Sequence, residues 1–176
     1  YQAIVTDDTS IISEPALAAF VADMYNTRGV SVVIMAIEGI FDLSPLRDLF
    51  GVDWRFTAYT NRVVQLTEMG QRILSKDAFP FQNKYVNSNF IECRGALLSE
   101  YINPADYEEN SDSEVSNDPV PNPSPGSPVV TVISTEGGDN NPRSVSYFGF
   151  VNSLDVSYGA IVLRLCYAAY HETGHS

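Results

Sequence analysis

The feature that most limits what this chain can fold into is Ser31-Val32-Val33-Ile34-Met35-Ala36-Ile37, an apolar run with no alternating polar positions. A strand with one solvated face alternates every second residue, so an unbroken run reads as a strand buried on both faces of a parallel sheet. Parallel strands need a crossover, and the residues just before this run supply one. Gln2-Ala3-Ile4-Val5-Thr6 is a short apolar run that empties into Asp7-Asp8-Thr9-Ser10, which reads as a strand followed by a loop. Across residues 14–28, Leu17, Phe20, Val21 and Met24 recur at spacings of three and four, predicting an amphipathic helix with those residues inward. Ser13 is the predicted N-cap, Pro15 suits the first turn, and Gly29 can take the left-handed position that ends a helix. Strand, helix and strand in this order predict a right-handed βαβ unit.

The turn after the second strand, Glu38-Gly39-Ile40-Phe41, lies at a strand carboxyl end, where open α/β sheets place their ligands. Ser44-Pro45-Leu46-Arg47-Asp48-Leu49-Phe50 then reads as a short capped helix stopped by Gly51, and Trp54-Arg55-Phe56-Thr57-Ala58-Tyr59 alternates like a strand. Residues 67–74 predict a brief helix, residues 86–93 a strand, and residues 96–101 a helical or irregular stretch. Residues 103–128 change character, with six carboxylates followed by five prolines and almost nothing to bury. They read as a disordered or extended acidic and Pro-rich loop inside the domain, because too little chain follows to build a second core. Its Ser111-Asp112-Ser113-Glu114 would suit an acidophilic kinase, although a solvated charge run is the plainer reading. Residues 129–134 and 144–150 read as two strands joined by turn formers, a hairpin, and residues 159–170 as a closing buried helix.

A length of 176 residues fits one domain, 1–176, and 44% apolar residues can fill its core. Ten basic against 22 acidic side chains give a formal charge of −12, which repels a phosphate backbone and argues against nucleic acid as a partner. No apolar run approaches the length that spans a bilayer, so no membrane is expected. Cys93 and Cys166 stand in no metal-like spacing and read as two reduced, buried thiols. The start at Tyr1 does not inform on targeting, a leader having either never existed or been removed; two reduced thiols favour a cytoplasmic protein, and no cofactor is expected.

Four stretches resemble the class I glutamine amidotransferase-like superfamily, specifically its trehalose-utilisation, or ThuA-like, branch. They are residues 1–8, Arg28-Gly29-Val30-Ser31-Val32-Val33-Ile34, Phe50-Gly51-Val52-Asp53-Trp54-Arg55, and the closing hairpin. The last runs from Pro128-Val129-Val130 through Arg143-Ser144-Val145-Ser146-Tyr147-Phe148-Gly149-Phe150 into Ile161-Val162-Leu163-Arg164-Leu165. The resemblance implies an α/β, flavodoxin-like three-layer sandwich with a mostly parallel sheet and a C-terminal β-hairpin plus helix. It also implies that a strand, a helix and a second strand are missing ahead of Tyr1. The chain is then shortened, or a partner chain, expected to be a second copy, covers the sheet edge.

Active members of the family carry a cysteine nucleophile in a Gly-x-Cys-x-Gly turn, and the matching stretch here is Met35-Ala36-Ile37-Glu38-Gly39. Ile37 stands at the nucleophile position and cannot attack, and the family's histidine has no counterpart, Val151 and Asn152 following the last strand instead. Cys93 could replace the thiol but reads as a plain core or edge residue. An active glutamine amidotransferase is not expected. The first reading is therefore a noncatalytic or divergent member binding a small molecule, by family analogy a sugar derivative, or a protein partner. Its candidate ligand-binding residues are Asp7, Asp8, Glu38, Gly39, Arg55 and Asn152. A second reading is a hydrolase with Glu38 as base beside Asp7 or Asp8, where the bland alternative is turn and capping chemistry. A third is a zinc hydrolase through His171-Glu172-Thr173-Gly174-His175, which matches H-E-x-x-H, the spacing that puts two imidazoles on one helix face. Against it, Gly174 weakens the helix that the motif needs, and a solvated terminus is the preferred reading of those residues.

Overall fold

The computed structural model describes residues 3–7, 10–35, 42–74, 84–93, 98–101, 128–136, 143–150 and 156–172. Its strands are β1 (Ala3–Thr6), β2 (Ser31–Met35), β3 (Trp54–Leu66), β4 (Lys84–Cys93), β5 (Leu98–Tyr101), β6 (Pro128–Glu136) and β7 (Arg143–Phe148). The helices are α1 (Ser10–Ser13), α2 (Pro15–Arg28), α3 (Ser44–Phe50), α4 (Glu68–Leu74) and α5 (Val156–Glu172). The strands form one sheet in the order β1-β2-β7-β6-β4-β3-β5. The molecule is α/β.

β1, α2 and β2 make the expected crossover unit, with Ile4 beside Val32 in a parallel ladder, and β2 runs parallel to β7, with Val33 beside Ser146. Parallel pairing stops there. The ladders β3–β4, β3–β5, β4–β6, β5–β6 and β6–β7 are all antiparallel, so the mostly parallel character expected of the sheet holds for β1, β2 and β7 only. The physical reason is connectivity. β6 and β7 are a hairpin, with Glu136 opposite Arg143 and Thr131 opposite Phe148, and β3 returns directly beside β4. Because β5 pairs with both the end of β3 and with β6, the strands β6, β4, β3 and β5 close into a ring.

Alternation along β2 and β7 builds two packed faces. Val32, Ile34, Val145 and Tyr147 enter a core with Val21 and Tyr25 of α2, Leu46 and Phe50 of α3, and Trp54. Ser31, Val33, Ser144, Ser146 and Phe148, all buried, alternate with them toward the opposite face. α5 packs on β2 and β7 and buries Ile161, Leu165 and Cys166. The Ser31 hydroxyl accepts from the Ser144 amide at 3.0 Å, so a polar atom between β2 and β7 has its partner despite complete burial.

Three local expectations are corrected. The inward stripe of α2 is Ala18, Val21 and Tyr25, while Leu17 is 40% and Phe20 57% exposed. Tyr25 sets this rotation: its ring meets Phe50 edge-on at 5.3 Å, and the Arg143 guanidinium lies 4.9 Å from its centroid. Ser13 belongs to α1, and the residue ahead of α2 is Glu14, which makes no side-chain cap. Residues 98–101 are strand β5 rather than helix, held by pairing on both sides. The expected helix stops are present, Gly29 at φ 65° and Gly51 at φ 73°. Just ahead of α4 the buried Thr67 hydroxyl accepts the Gly70 amide at 2.9 Å, an N-cap to the brief helix expected over residues 67–74. The acidic segment up to residue 127 and the hairpin tip at 137–142 lie outside the described residues. No described helix is long and apolar enough to cross a membrane.

Candidate functional site

Among the described residues, a concavity follows from the way the chain returns after β2. Leu43 and Leu46 are anchored in the core and fix α3, while Gly51, in a left-handed conformation with its amide 2.8 Å from the Arg47 carbonyl, turns the chain toward β3. Val52 and Trp54 point inward, 5% and 4% exposed, with Asp53 and Arg55 between and after them. The resulting groove has a volume of about 300 Å³, at the small end of ligand pockets. Leu43, Val52, Trp54 and Phe56 supply its apolar walls, and Asp42, Ser44, Arg47, Asp53 and Arg55 its polar groups.

Register places this groove at the carboxyl end of the parallel strands. Phe148, the last residue of β7, lies opposite Thr131 of β6. Pro128, three residues beyond on β6, lies opposite Glu92, and the next residue of β4, Cys93, lies opposite Trp54. The start of β3 therefore stands past the carboxyl end of β7, and the Trp54 ring sits 6.0 Å from that of Tyr147. Asp42 is the first described residue after the loop that leaves β2. Crevices outside strand carboxyl ends are where open α/β sheets bind ligands.

The polar groups are in distinct electrostatic states. The Asp42 carboxylate accepts the Ser44 amide at 2.9 Å, and bonding from the Ser44 hydroxyl and amide holds its pKa below the usual carboxylate value. Asp53 meets Arg55 through Nε at 3.6 Å, with the Arg55 side chain 60% exposed. This is a long, one-pronged surface pair rather than a bidentate fork. Arg47 is exposed and has no ion pair among the described residues. Beneath them, burial pushes the Tyr147 phenol far above its ordinary range. On the α5 side, burial pushes the Cys166 thiol up, so it stays protonated and inert at neutral pH.

Of the residues singled out from sequence, Arg55 lines the groove, and Asp7 is exposed at the carboxyl end of β1 without lining it. Asp8, Ile37, Glu38, Gly39, Val151, Asn152 and His175 lie outside the described residues, and Cys93 ends β4 opposite Trp54. His171 and Glu172 are the last two residues of α5, so only the first part of the His-Glu-x-x-His stretch falls in the described helix. Among the described residues no three His, Cys, Asp or Glu side chains gather as a metal site. Sequence reasoning missed Asp42, Arg47 and Asp53. The signal available was the chain's single tryptophan beside Gly51, with arginines at positions 47 and 55 flanking both.

Comparison of the chain with known protein families, with curated proteins and with solved structures finds no match.

Proposed function

We propose that this chain is a noncatalytic or divergent glutamine amidotransferase-like domain of the ThuA-like branch, flavodoxin-like in layout, that binds a small molecule. The observation that carries the reading is the groove between α3 and the start of β3, which combines apolar walls with convergent polar side chains at the carboxyl end of β2 and β7. The order of β1, α2 and β2, and the closing hairpin and helix, are consistent with the family's arrangement. Ile37 in place of the family's nucleophile is the reason for reading the domain as a binder rather than as an amidotransferase.

Trp54 makes the reading testable, because the only tryptophan in the chain lines the groove. A panel of sugars, sugar acids, amino acids and nucleosides is titrated against the purified chain while its tryptophan emission is followed. A saturable change with one-to-one stoichiometry is the expected result, and a panel that leaves the emission unmoved sinks the reading. No glutamine hydrolysis is expected in a coupled ammonia assay. Association of copies is the second part of the proposal, since β1 ends the strand order and its Val5 is 45% exposed. Light scattering should give a native mass above that of one chain.

A further inference from the structure

The groove sets two carboxylates, each with a neighbouring donor, beside two exposed arginine side chains. The Asp42 carboxylate is engaged by the amide and hydroxyl of Ser44, a local cap at the start of α3. Asp53 is engaged by the Nε of Arg55. Available to an incoming molecule are Arg47, which lines the groove, is exposed and forms no ion pair among the described residues, and Arg55, which is 60% exposed and meets Asp53 only in a long contact through Nε. Both are donors, and a guanidinium carries no acceptor. A neutral polyol leaves its hydroxyl hydrogens without an acceptor on such a pair and brings no charge to it, whereas a carboxylate or phosphate dianion is acceptor throughout.

Two guanidiniums within one small groove are also unexpected in a chain with only ten basic residues and a formal charge of −12. An anion approaching elsewhere meets a repulsive field, and here it meets planar forks that match the geometry of carboxylate and phosphate oxygens. We infer that the groove takes a small organic anion, whose carboxylate or phosphate monoester is held between Arg47 and Arg55 while its carbon skeleton lies against Trp54 and Val52. This inference rests on the groove being the ligand site.

The test uses the whole chain, with Trp54 emission as the groove-specific signal and calorimetry as an independent measure of binding. The probes are glucose 6-phosphate, gluconate and glucose, so the phosphate and carboxylate arms are separated from the neutral parent. At least one anion should bind about tenfold more tightly than glucose and change the emission. Arg47→Gln and Arg55→Gln should each weaken that anion by about tenfold or more, the scale of a charge-assisted hydrogen bond. Both side chains are exposed, so the variants should keep the parent's thermal midpoint. If glucose binds as tightly as the anions, the anion inference falls and the groove remains a ligand site. An anion that binds by calorimetry with emission unchanged, or with both arginine variants unaffected, also overturns the inference. Silence from all three probes overturns it, and the broader panel then decides the fate of the groove itself.

Discussion

The same substitution should change stability in opposite directions at two glycines, and the sign is set by backbone conformation alone. Gly51 stops α3 at φ 73°, and Gly159 is the fourth residue of α5; a methyl group added at either position meets nothing within 4 Å. Packing is thereby removed from the comparison. At Gly51 an alanine must sit in the left-handed region, which costs an L-residue about 1–2 kcal/mol. Stiffening of the unfolded chain returns about 0.4–1 kcal/mol of this, leaving a net loss of about 1 kcal/mol. At Gly159 alanine fits the helix and gains up to about 1 kcal/mol.

For a chain of this length each kcal/mol moves the midpoint by about 2–4 °C. Gly51→Ala should therefore lower, and Gly159→Ala raise, the thermal midpoint by about that amount, followed by circular dichroism at 222 nm. Urea titration should show the midpoints moving at constant slope. Gly51→Asn should fall between the parent and Gly51→Ala, because asparagine tolerates the left-handed region. Shifts of the same sign in the two alanine variants would refute the reasoning, since no contact distinguishes the sites.

Three further outcomes follow from single groups. Thr67→Val should cost about 1–2 kcal/mol in urea unfolding and Thr67→Ser much less, because the buried Gly70 amide loses the hydroxyl that accepts it at 2.9 Å. Tyr147 has its folded pKa raised by burial, so its stabilising contribution is complete below the ordinary phenol range near pH ~10 and is lost as pH rises above it. Stability measured from pH 9 upward should thus fall less steeply in Tyr147→Phe than in the parent. Asp42 has its folded pKa lowered by Ser44, so its contribution is present above the ordinary carboxylate pKa and is lost as pH falls through the folded value. Carboxyl NMR should show Ser44→Ala raising the Asp42 titration midpoint, and an unchanged midpoint would contradict the assigned bond.

What the sequence discloses is what local chemistry decides. The unbroken run beginning at Ser31, short and rich in β-branched residues, reads as a strand covered on both sides, and Gly29 and Gly51 stop helices because few other residues adopt their backbone angles. The rotation of α2 was not decided locally. Apolar residues are spread around that helix, and Tyr25, whose hydroxyl hides its value as a core residue, prevails over Leu17 and Phe20 by filling the space between Phe50 and Arg143. Residues 98–101 carry helix formers and are nevertheless strand, because β3 and β6 offer ladders on both sides. Arg55 was visible as a charge at the start of an alternating run. Asp42, Arg47 and Asp53 were not, since nothing between positions 42 and 56 states that the chain wraps around one groove.

That groove depends on register more than on any single contact. Trp54 shares an inward face with Phe56, two residues on along β3, which packs against the core opposite the fully buried Ile91. One residue later the pairing shifts: Ala58 lies opposite Phe90, so Thr57 is an extra residue on β3, a bulge. Without it the two halves of β3 could not both keep their partners, as a slip of one residue turns every side chain to the other face. Either Trp54 and Phe56 would leave the core, or the distal half that carries β3 to β5 would invert. The bulge lets one 13-residue strand serve two tasks, closing the antiparallel ring at Leu66 and presenting Trp54 and Arg55 at the crevice. The crevice is thus built from both regimes of the sheet, with the parallel strands fixing where it opens and the antiparallel ones fixing which side chains line it.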